Sequence, residues 1–128
     1  MRKNNLTDQV VEYLLKSTDD ELSSLSVEKI AKHFDVSVSF LCRKFRNEKY
    51  FTIGKFIFKE RMFRAAQLLS EDLDININIK ALGEKMGFYD YDYFIRVFKN
   101  YYGISPSRYR ECVHKKPGSS VAHKIREQ

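Results

Sequence analysis

The sequence predicts an all-α protein: seven helices forming two helix-turn-helix subdomains joined by a long central helix. A repeat carries most of that prediction. The stretch Leu41-Cys-Arg-Lys-Phe45 returns 53 positions later as Phe94-Ile-Arg-Val-Phe98, and the register runs on through Arg46/Lys99, Asn47/Asn100, Thr52/Ser105 and Phe56/Tyr109. Upstream the offset is 52, pairing Ile30 with Leu82, Ala31 with Gly83, Asp35 with Gly87 and Val36 with Phe88, so the second copy carries one extra residue at its turn. A repeat of this size is one supersecondary unit used twice. The second observation is that apolar residues recur at helical spacing through nearly the whole chain.

Each element has a local reason. Residues 4–17 place Leu6, Val10, Tyr13 and Leu14 on one face, with Val11 at its edge and Asp8, Glu12 and Lys16 elsewhere, which is an amphipathic helix. The polar, acidic Ser17–Ser24 stretch reads as a connection. Ser26 N-caps a helix over 27–34, since its hydroxyl accepts from amides that have no partner in the first turn; Lys29 stands where the glutamate of a capping box would. That helix turns Val27, Ile30, Ala31 and Phe34 inward, and the small Ala31 admits a close neighbour. Asp35-Val36-Ser37 makes a turn, with Ser37 capping a helix over 38–48. There Val38, Leu41 and Phe45 share one face, opposite Ser39, Cys42, Arg43 and Arg46. A short turn, a small residue before it and an apolar i, i+3, i+7 stripe after it describe a helix-turn-helix.

Thr52 caps a long helix to Leu69, whose apolar positions Ile53, Phe56, Ile57, Met62, Ala65, Ala66, Leu68 and Leu69 spread beyond one stripe, as packing on several sides requires. Ser70–Ile77 is an acidic connection; its alternating Asp-Ile-Asn-Ile-Asn-Ile has no partner strand elsewhere and reads as a loop. The second copy follows. Asn78 caps a helix over 79–86 that buries Ile79, Leu82 and Met86; Gly87 supplies a left-handed residue and Phe88 plugs the turn. A helix over 90–102 buries Phe94, Val97, Phe98 and Tyr101 and ends at Gly103. Ser105-Pro106, an N-cap followed by proline at the first helical position, opens a helix to about Cys112. The domain division expected is residues 1–50 for the N-terminal helix and first lobe, 51–70 for the linking helix, 71–113 for the second lobe, and 114–128 for a basic flexible tail with room for one helical turn near Val121–Arg126.

Composition narrows the function. No run approaches the roughly 18 apolar residues of a membrane span, and Met1-Arg2-Lys3-Asn4-Asn5 lacks the apolar core of a secretory signal. Cys42 and Cys112 read as free thiols in a reducing compartment, and His33, His114 and His123 stand at no zinc-ligand spacing from them. No acid–base pair, nucleophile–base set or phosphate-cradling glycine loop is present, so an enzyme, a metal and a cofactor are not expected. The net charge is +6, and residues 26–70 alone hold ten Lys/Arg against four Asp/Glu. Residues 71–112 hold six against seven, so the basic charge gathers on the first copy and the tail, as a polyanion-binding half would have it.

Arg43 and Arg96 point away from the apolar stripe at equivalent positions. From there an arginine can donate two hydrogen bonds to guanine O6 and N7 in the major groove; it could instead pair with acids on a neighbouring helix. The 18 residues from Thr52 to Leu69 span about 27 Å as a helix, against about 34 Å between successive major grooves. One chain could therefore place two helices in consecutive grooves, with some bending of the DNA. Thr52 and Ser105 open helices at equivalent places and suit phosphate contacts, a role compatible with plain capping.

The block Phe88-x5-Phe94-x-Arg96-x-Phe98-Lys99-x4-Gly103-x-Ser105-Pro106-x2-Tyr109-Arg110, with Leu41-x-Arg43-x-Phe45-Arg46 before it, resembles the AraC/XylS family of bacterial transcription regulators over roughly residues 6–112. The resemblance implies a two-lobed, seven-helix domain that binds an asymmetric promoter site and often activates transcription through RNA polymerase. Carried over by position, base contacts fall on Ser39, Cys42 and Arg43 in the first lobe and on Tyr91, Asp92, Ile95 and Arg96 in the second; Arg46 and Lys99 are further DNA-binding residues of these two helices, with phosphate contacts from Ser37, Lys44, Thr52 and Ser105. The partners expected are double-stranded DNA and RNA polymerase, with no membrane, in the cytoplasm at the nucleoid. The chain is expected to be monomeric, with any dimerisation through a further domain. Departures from the family pattern are Asp35 and Tyr50 in place of glycines, a long 70–78 connection, and the run Tyr89-Asp90-Tyr91-Asp92-Tyr93, whose acids oppose phosphate. That run motivates an alternative, a helical protein-interaction module with a degenerate second lobe.

Overall fold

Every helix of the described structure begins behind a side chain that accepts a hydrogen bond from its first turn. In the computed structural model, which describes residues 5–71 and 78–115, these are Asn5, Thr18, Ser26, Ser37, Thr52, Asn78, Asp90 and Ser105. Behind them stand α1 (Leu6–Lys16), α2 (Asp19–Ser23), α3 (Val27–His33), α4 (Val38–Glu48), α5 (Ile53–Glu71), α6 (Ile79–Lys85), α7 (Tyr91–Tyr102) and α8 (Pro106–Lys115). The described residues contain eight helices, not seven. The additional one is α2, inside the stretch expected to be a mere connection. Its cause is a capping box: Thr18 Oγ1 accepts from the Glu21 amide at 3.1 Å while the Glu21 carboxylate accepts from the Thr18 amide at 2.8 Å. Leu22 on this short helix is fully buried, and that anchors it.

The chain divides into two compact units, Met1–Arg61 and Met62–Gln128, and α5 gives its first half to one and its second half to the other. In the first unit Val10 and Leu14 of α1, Leu22 of α2, Ile30 and Ala31 of α3, Leu41 and Phe45 of α4, and Ile53 and Ile57 of α5 form the core. Two polar ties lock its ends. Arg61 donates from Nε to the Leu22 carbonyl and from Nη2 to the Leu25 carbonyl, both at 3.0 Å, pinning the turn that follows α2 to α5. At the other end Glu48 accepts from Asn5 Nδ2 at 3.2 Å and from Lys44 Nζ at 3.0 Å, joining the end of α4 to the start of α1.

The second unit is built around phenylalanines. Phe94 and Phe98 of α7 are fully buried with Met62 and Leu69 of α5 and Leu82 of α6, and Phe88 and Tyr109 close the sides. Phe98 lies edge-on to Tyr109 at 5.7 Å between ring centroids, which docks α8 on α7. Helix α8 continues past the expected end at Cys112 to Lys115, and His114 donates from Nε2 to the Leu69 carbonyl at 2.6 Å. Helix α5 likewise runs on to Glu71, with the Ser70 hydroxyl donating to the Ala66 carbonyl at 2.8 Å. Of the connection expected over Ser70–Ile77 and the tail expected over 114–128, residues 70–71 and 114–115 belong to α5 and α8, and the rest, including the helical turn expected near Val121–Arg126, lies outside the described residues.

The two copies of the repeat superpose in their hydrogen bonding. After α3 the amides of Asp35 and Val36 donate to the carbonyls of Lys32 and Ala31; after α6 those of Gly87 and Phe88 donate to Glu84 and Gly83. Both are Schellman closures, which require a left-handed residue just past the helix. Gly87 adopts it at φ 92°, and Asp35, where the family pattern has glycine, adopts it at φ 57°. Aspartate tolerates that region better than most residues, so the turn survives the substitution. Packing across the pair differs in a compensated way. A Cβ on Gly83 would meet the Phe94 ring at 2.8 Å, whereas the first copy places Ala31 and the slimmer Leu41 at these positions. The copies also end differently: Gly103 leaves α7 in the left-handed region at φ 88°, while Lys49 leaves α4 extended at φ −123° and Tyr50 stands fully exposed.

Candidate nucleic-acid interface

In α4 the buried residues are Leu41 and Phe45, and in α7 they are Phe94 and Phe98, the same pair of positions. Successive residues of an α-helix turn by about 100°, so the direction opposite each buried pair is set by the sequence. That direction falls on Arg43 in α4 and on Arg96 in α7, and both are exposed. The burial of two bulky apolar side chains thus aims an arginine outward on each helix, at the centre of the open arc. On α4, Ser39, Cys42 and Arg46 are exposed beside Arg43. On α7, Tyr91, Asp92 and Lys99 are exposed beside Arg96, while Ile95 is half-buried. Val38, expected in the buried stripe, is exposed, because it begins the helix at the edge of that stripe; Tyr101 is exposed likewise at the far end of α7.

Local interactions hold some of these groups and leave others open. Arg43 and Arg46 have no hydrogen-bond or ion-pair partner among the described residues, so Arg43 is not spent on a neighbouring acid. Lys44 is half-buried and pairs with Glu48 one turn on. The guanidinium of Arg96 lies 5.4 Å over the Tyr93 ring, a cation–π contact that steadies it. Ser37 is exposed and caps α4 through Phe40 N at 3.1 Å. Thr52 and Ser105, both half-buried, cap α5 and α8 through Lys55 N at 3.1 Å and Arg108 N at 3.3 Å. Within the Tyr/Asp run the Asp90 carboxylate accepts from Tyr93 N at 3.1 Å and serves as the N-cap of α7, so one of its two acids has a structural reason.

Two side chains sense their surroundings. A hydrogen bond from Thr7, then one from Lys44, holds the Glu48 carboxyl below its usual range. At the matching place in the second copy stands Tyr101, whose side chain is exposed in part and whose hydroxyl is pushed up by partial desolvation. Among the described residues no group of three His, Cys, Asp or Glu could hold a metal ion, and no helix is long and apolar enough to cross a membrane.

Sequence reasoning passed over one pair of surface residues. Phe40 and Tyr93 occupy the same register of the repeat, three residues before the arginines, and are exposed to 41% and 42%. The offset of 53 residues that found the arginines also pairs these aromatics. The signal was present, but periodicity alone does not distinguish an exposed aromatic from a core one.

Comparison with known proteins agrees with this geometry. A helix-turn-helix domain family matches residues 30–111. The chain is similar to the multiple antibiotic resistance protein MarA of Escherichia coli, 32% identical over 111 residues that cover 86% of this chain and 85% of MarA. It is 37% identical over 89 residues to the Msm operon regulatory protein of Streptococcus mutans, covering 70% of this chain but only 31% of that protein. Its fold resembles the crystal structure of a DNA-binding transcriptional dual regulator from Escherichia coli, with a TM-score of 0.73 and 27% identity over 91% of this chain and 98% of that one. The chain belongs to the helix-turn-helix domain family, among the DNA-binding transcription regulators of the AraC/XylS type.

Proposed function

We propose that this chain reads an asymmetric promoter site in double-stranded DNA by setting α4 and α7 into successive major grooves. The observation that carries the reading is the duplicated aim: two buried apolar residues on each helix turn one arginine outward at the centre of its exposed arc. Arg43 and Arg96 donate two hydrogen bonds each to guanine O6 and N7. Ser39, Cys42 and Arg46 flank the first contact; Tyr91, Asp92, Ile95 and Lys99 flank the second, where Asp92 can accept from cytosine N4. Ser37, Lys44, Thr52 and Ser105 face phosphates, and Lys44 then shares its charge between Glu48 and the backbone. The 19 residues of α5 span about 28 Å, close to the groove repeat of about 34 Å, and the difference is met by bending the DNA.

The first lobe, residues 1–50, supplies most of the affinity, because residues 26–70 carry a net +6 and residues 71–112 a net −1. Residues 51–70 link it to the second lobe, 71–113, and the basic segment 114–128 adds charge. The names of the relatives, an operon regulatory protein and a transcriptional dual regulator, support a role in setting transcription. In that role the chain meets RNA polymerase at the promoter, as a monomer, in the cytoplasm where the nucleoid lies. A second reading, that the second lobe binds a protein, is favoured by the exposure of Tyr89, Tyr91 and Tyr93 at the start of α7.

The test is selection of bound sequences from a random DNA pool, followed by titration of Arg43→Ala on the selected site. The expected loss is about 1–3 kcal/mol, with relaxed preference at one base. Unchanged titrations would sink the assignment of α4. Association with a protein that is indifferent to salt, with no DNA bound at low salt, would establish the second reading instead.

A further inference from the structure

Each of the two exposed arcs carries more than its arginine. In α4 the sequence Phe40-x-x-Arg43-x-x-Arg46 runs along the arc, and in α7 Tyr93-x-x-Arg96-x-x-Lys99 does the same. At about 100° per residue the aromatic lies roughly 60° to one side of the arginine and the second basic residue roughly 60° to the other, identically in both helices. All six side chains are exposed. A single exposed aromatic is ordinary on a protein surface. An aromatic stands at the same register of both copies, and although the Tyr93 ring touches Phe88 at 6.4 Å between centroids, Phe40 and Tyr93 leave 41% and 42% of their surface open.

We infer that Phe40 and Tyr93 read the 5-methyl group of a thymine, each in the base pair next to the one its arginine contacts. The inference rests on the DNA-binding reading above. Three residues along a helix rise about 4.5 Å, which matches a step of about 3.4 Å to the neighbouring base pair when the helix lies along the groove. The thymine methyl is the one apolar feature of the major-groove edge, and an aromatic ring is among the side chains that meet it. The arginine supplies hydrogen bonds and the ring supplies apolar contact, so each helix specifies a guanine–thymine neighbour pair. In the second copy the Arg96 guanidinium lies 5.4 Å over the Tyr93 ring, so the two groups are in contact on the exposed arc.

The experiment replaces each thymine of the selected site in turn by uracil, which removes only the methyl. For the unaltered chain one position per lobe is expected to weaken by about fourfold, the worth of one methyl withdrawn from water. The first of these lies beside the guanine that Arg43→Ala relaxes. Phe40→Ala should abolish sensitivity to uracil at the first position and Tyr93→Ala at the second, while Phe40→Leu keeps it. Both residues are exposed, so the variants are expected to fold, which circular dichroism checks. The inference is overturned if no thymine position responds to uracil, or if the response survives in Phe40→Ala and Tyr93→Ala. It is also overturned if the alanine variants weaken thymine and uracil sites equally, since the rings would then only brace the arginines. Absence of any selected sequence for the unaltered chain would overturn the DNA-binding reading itself, a distinct result.

Discussion

Gly83→Ala tests the compensated packing of the second unit. The added Cβ would lie 2.8 Å from Phe94 Cδ2, 3.0 Å from Cγ and 3.3 Å from Cε2. These atoms belong to a rigid ring that is fully buried and packed against Phe88 and Phe98, at 5.2 and 5.9 Å between centroids, so it has little room to withdraw. Overpacking of this kind costs about 1–3 kcal/mol. Alanine returns about 0.8–1 kcal/mol through its better helix propensity, which leaves a net loss of about 1 kcal/mol and at most about 2. Urea denaturation followed by tyrosine fluorescence suits the measurement, since Tyr89, Tyr91, Tyr93, Tyr101, Tyr102 and Tyr109 all lie in the second unit. The decisive comparison is a double-mutant cycle with Phe94→Leu, which installs the Ala/Leu combination of the first copy. Phe94→Leu alone should lose stability by opening space; in the double variant the new methyl fills part of it, so the two losses should fall short of adding. A Gly83→Ala chain as stable as its parent, or strict additivity in the cycle, would refute the reasoning.

Arg96→Ala should weaken DNA binding less than Arg43→Ala, since residues 71–112 lack the basic excess of residues 26–70; the reverse order in titrations would invert the ranking of the lobes. Asp35→Gly should raise the unfolding free energy, read by urea titration, by at most about 1 kcal/mol, because glycine removes the left-handed strain at φ 57° but regains freedom when unfolded; Asp35→Val should lower it by more than that. Glu48 has a folded pKa below its ordinary 4.5, so its contribution is present above that pH and is lost as pH falls through the depressed value. Glu48→Gln should therefore be less stable near neutrality and should flatten the acid side of a stability–pH curve; a parallel curve would show that the ties to Thr7 and Lys44 carry no linkage. Arg61→Met should destabilise the first unit by about 2 kcal/mol or more, as two buried-end carbonyls lose a charged donor, and an unchanged urea midpoint would mean that water replaces it.

How much of this was legible without coordinates follows from the range of the forces involved. Caps, turns and apolar stripes act over three or four residues, so a one-dimensional reading finds them: Ser26, Ser37, Thr52, Asn78 and Ser105 all cap as expected, and Gly87 takes its left-handed place. The same reading missed α2 although Thr18 and Glu21 stand at capping-box spacing, because the acidic stretch around them resembles a loop by composition. It ended α8 too early because the hydrogen bond that holds the last turn reaches from His114 to Leu69, 45 positions away.

For this protein, then, the sequence alone determined the duplicated helical unit, the buried pair on each second helix, and the outward aim of Arg43 and Arg96, since an α-helix of fixed pitch converts spacing into direction. Tertiary structure decided what depends on distant neighbours. It set the length of α8, tied Glu48 to Asn5, left Phe40 and Tyr93 outside their cores, and matched Gly83 to the width of Phe94. Each of these turns on which atoms meet across a gap of a few ångströms, a property of the folded surface that no local pattern encodes.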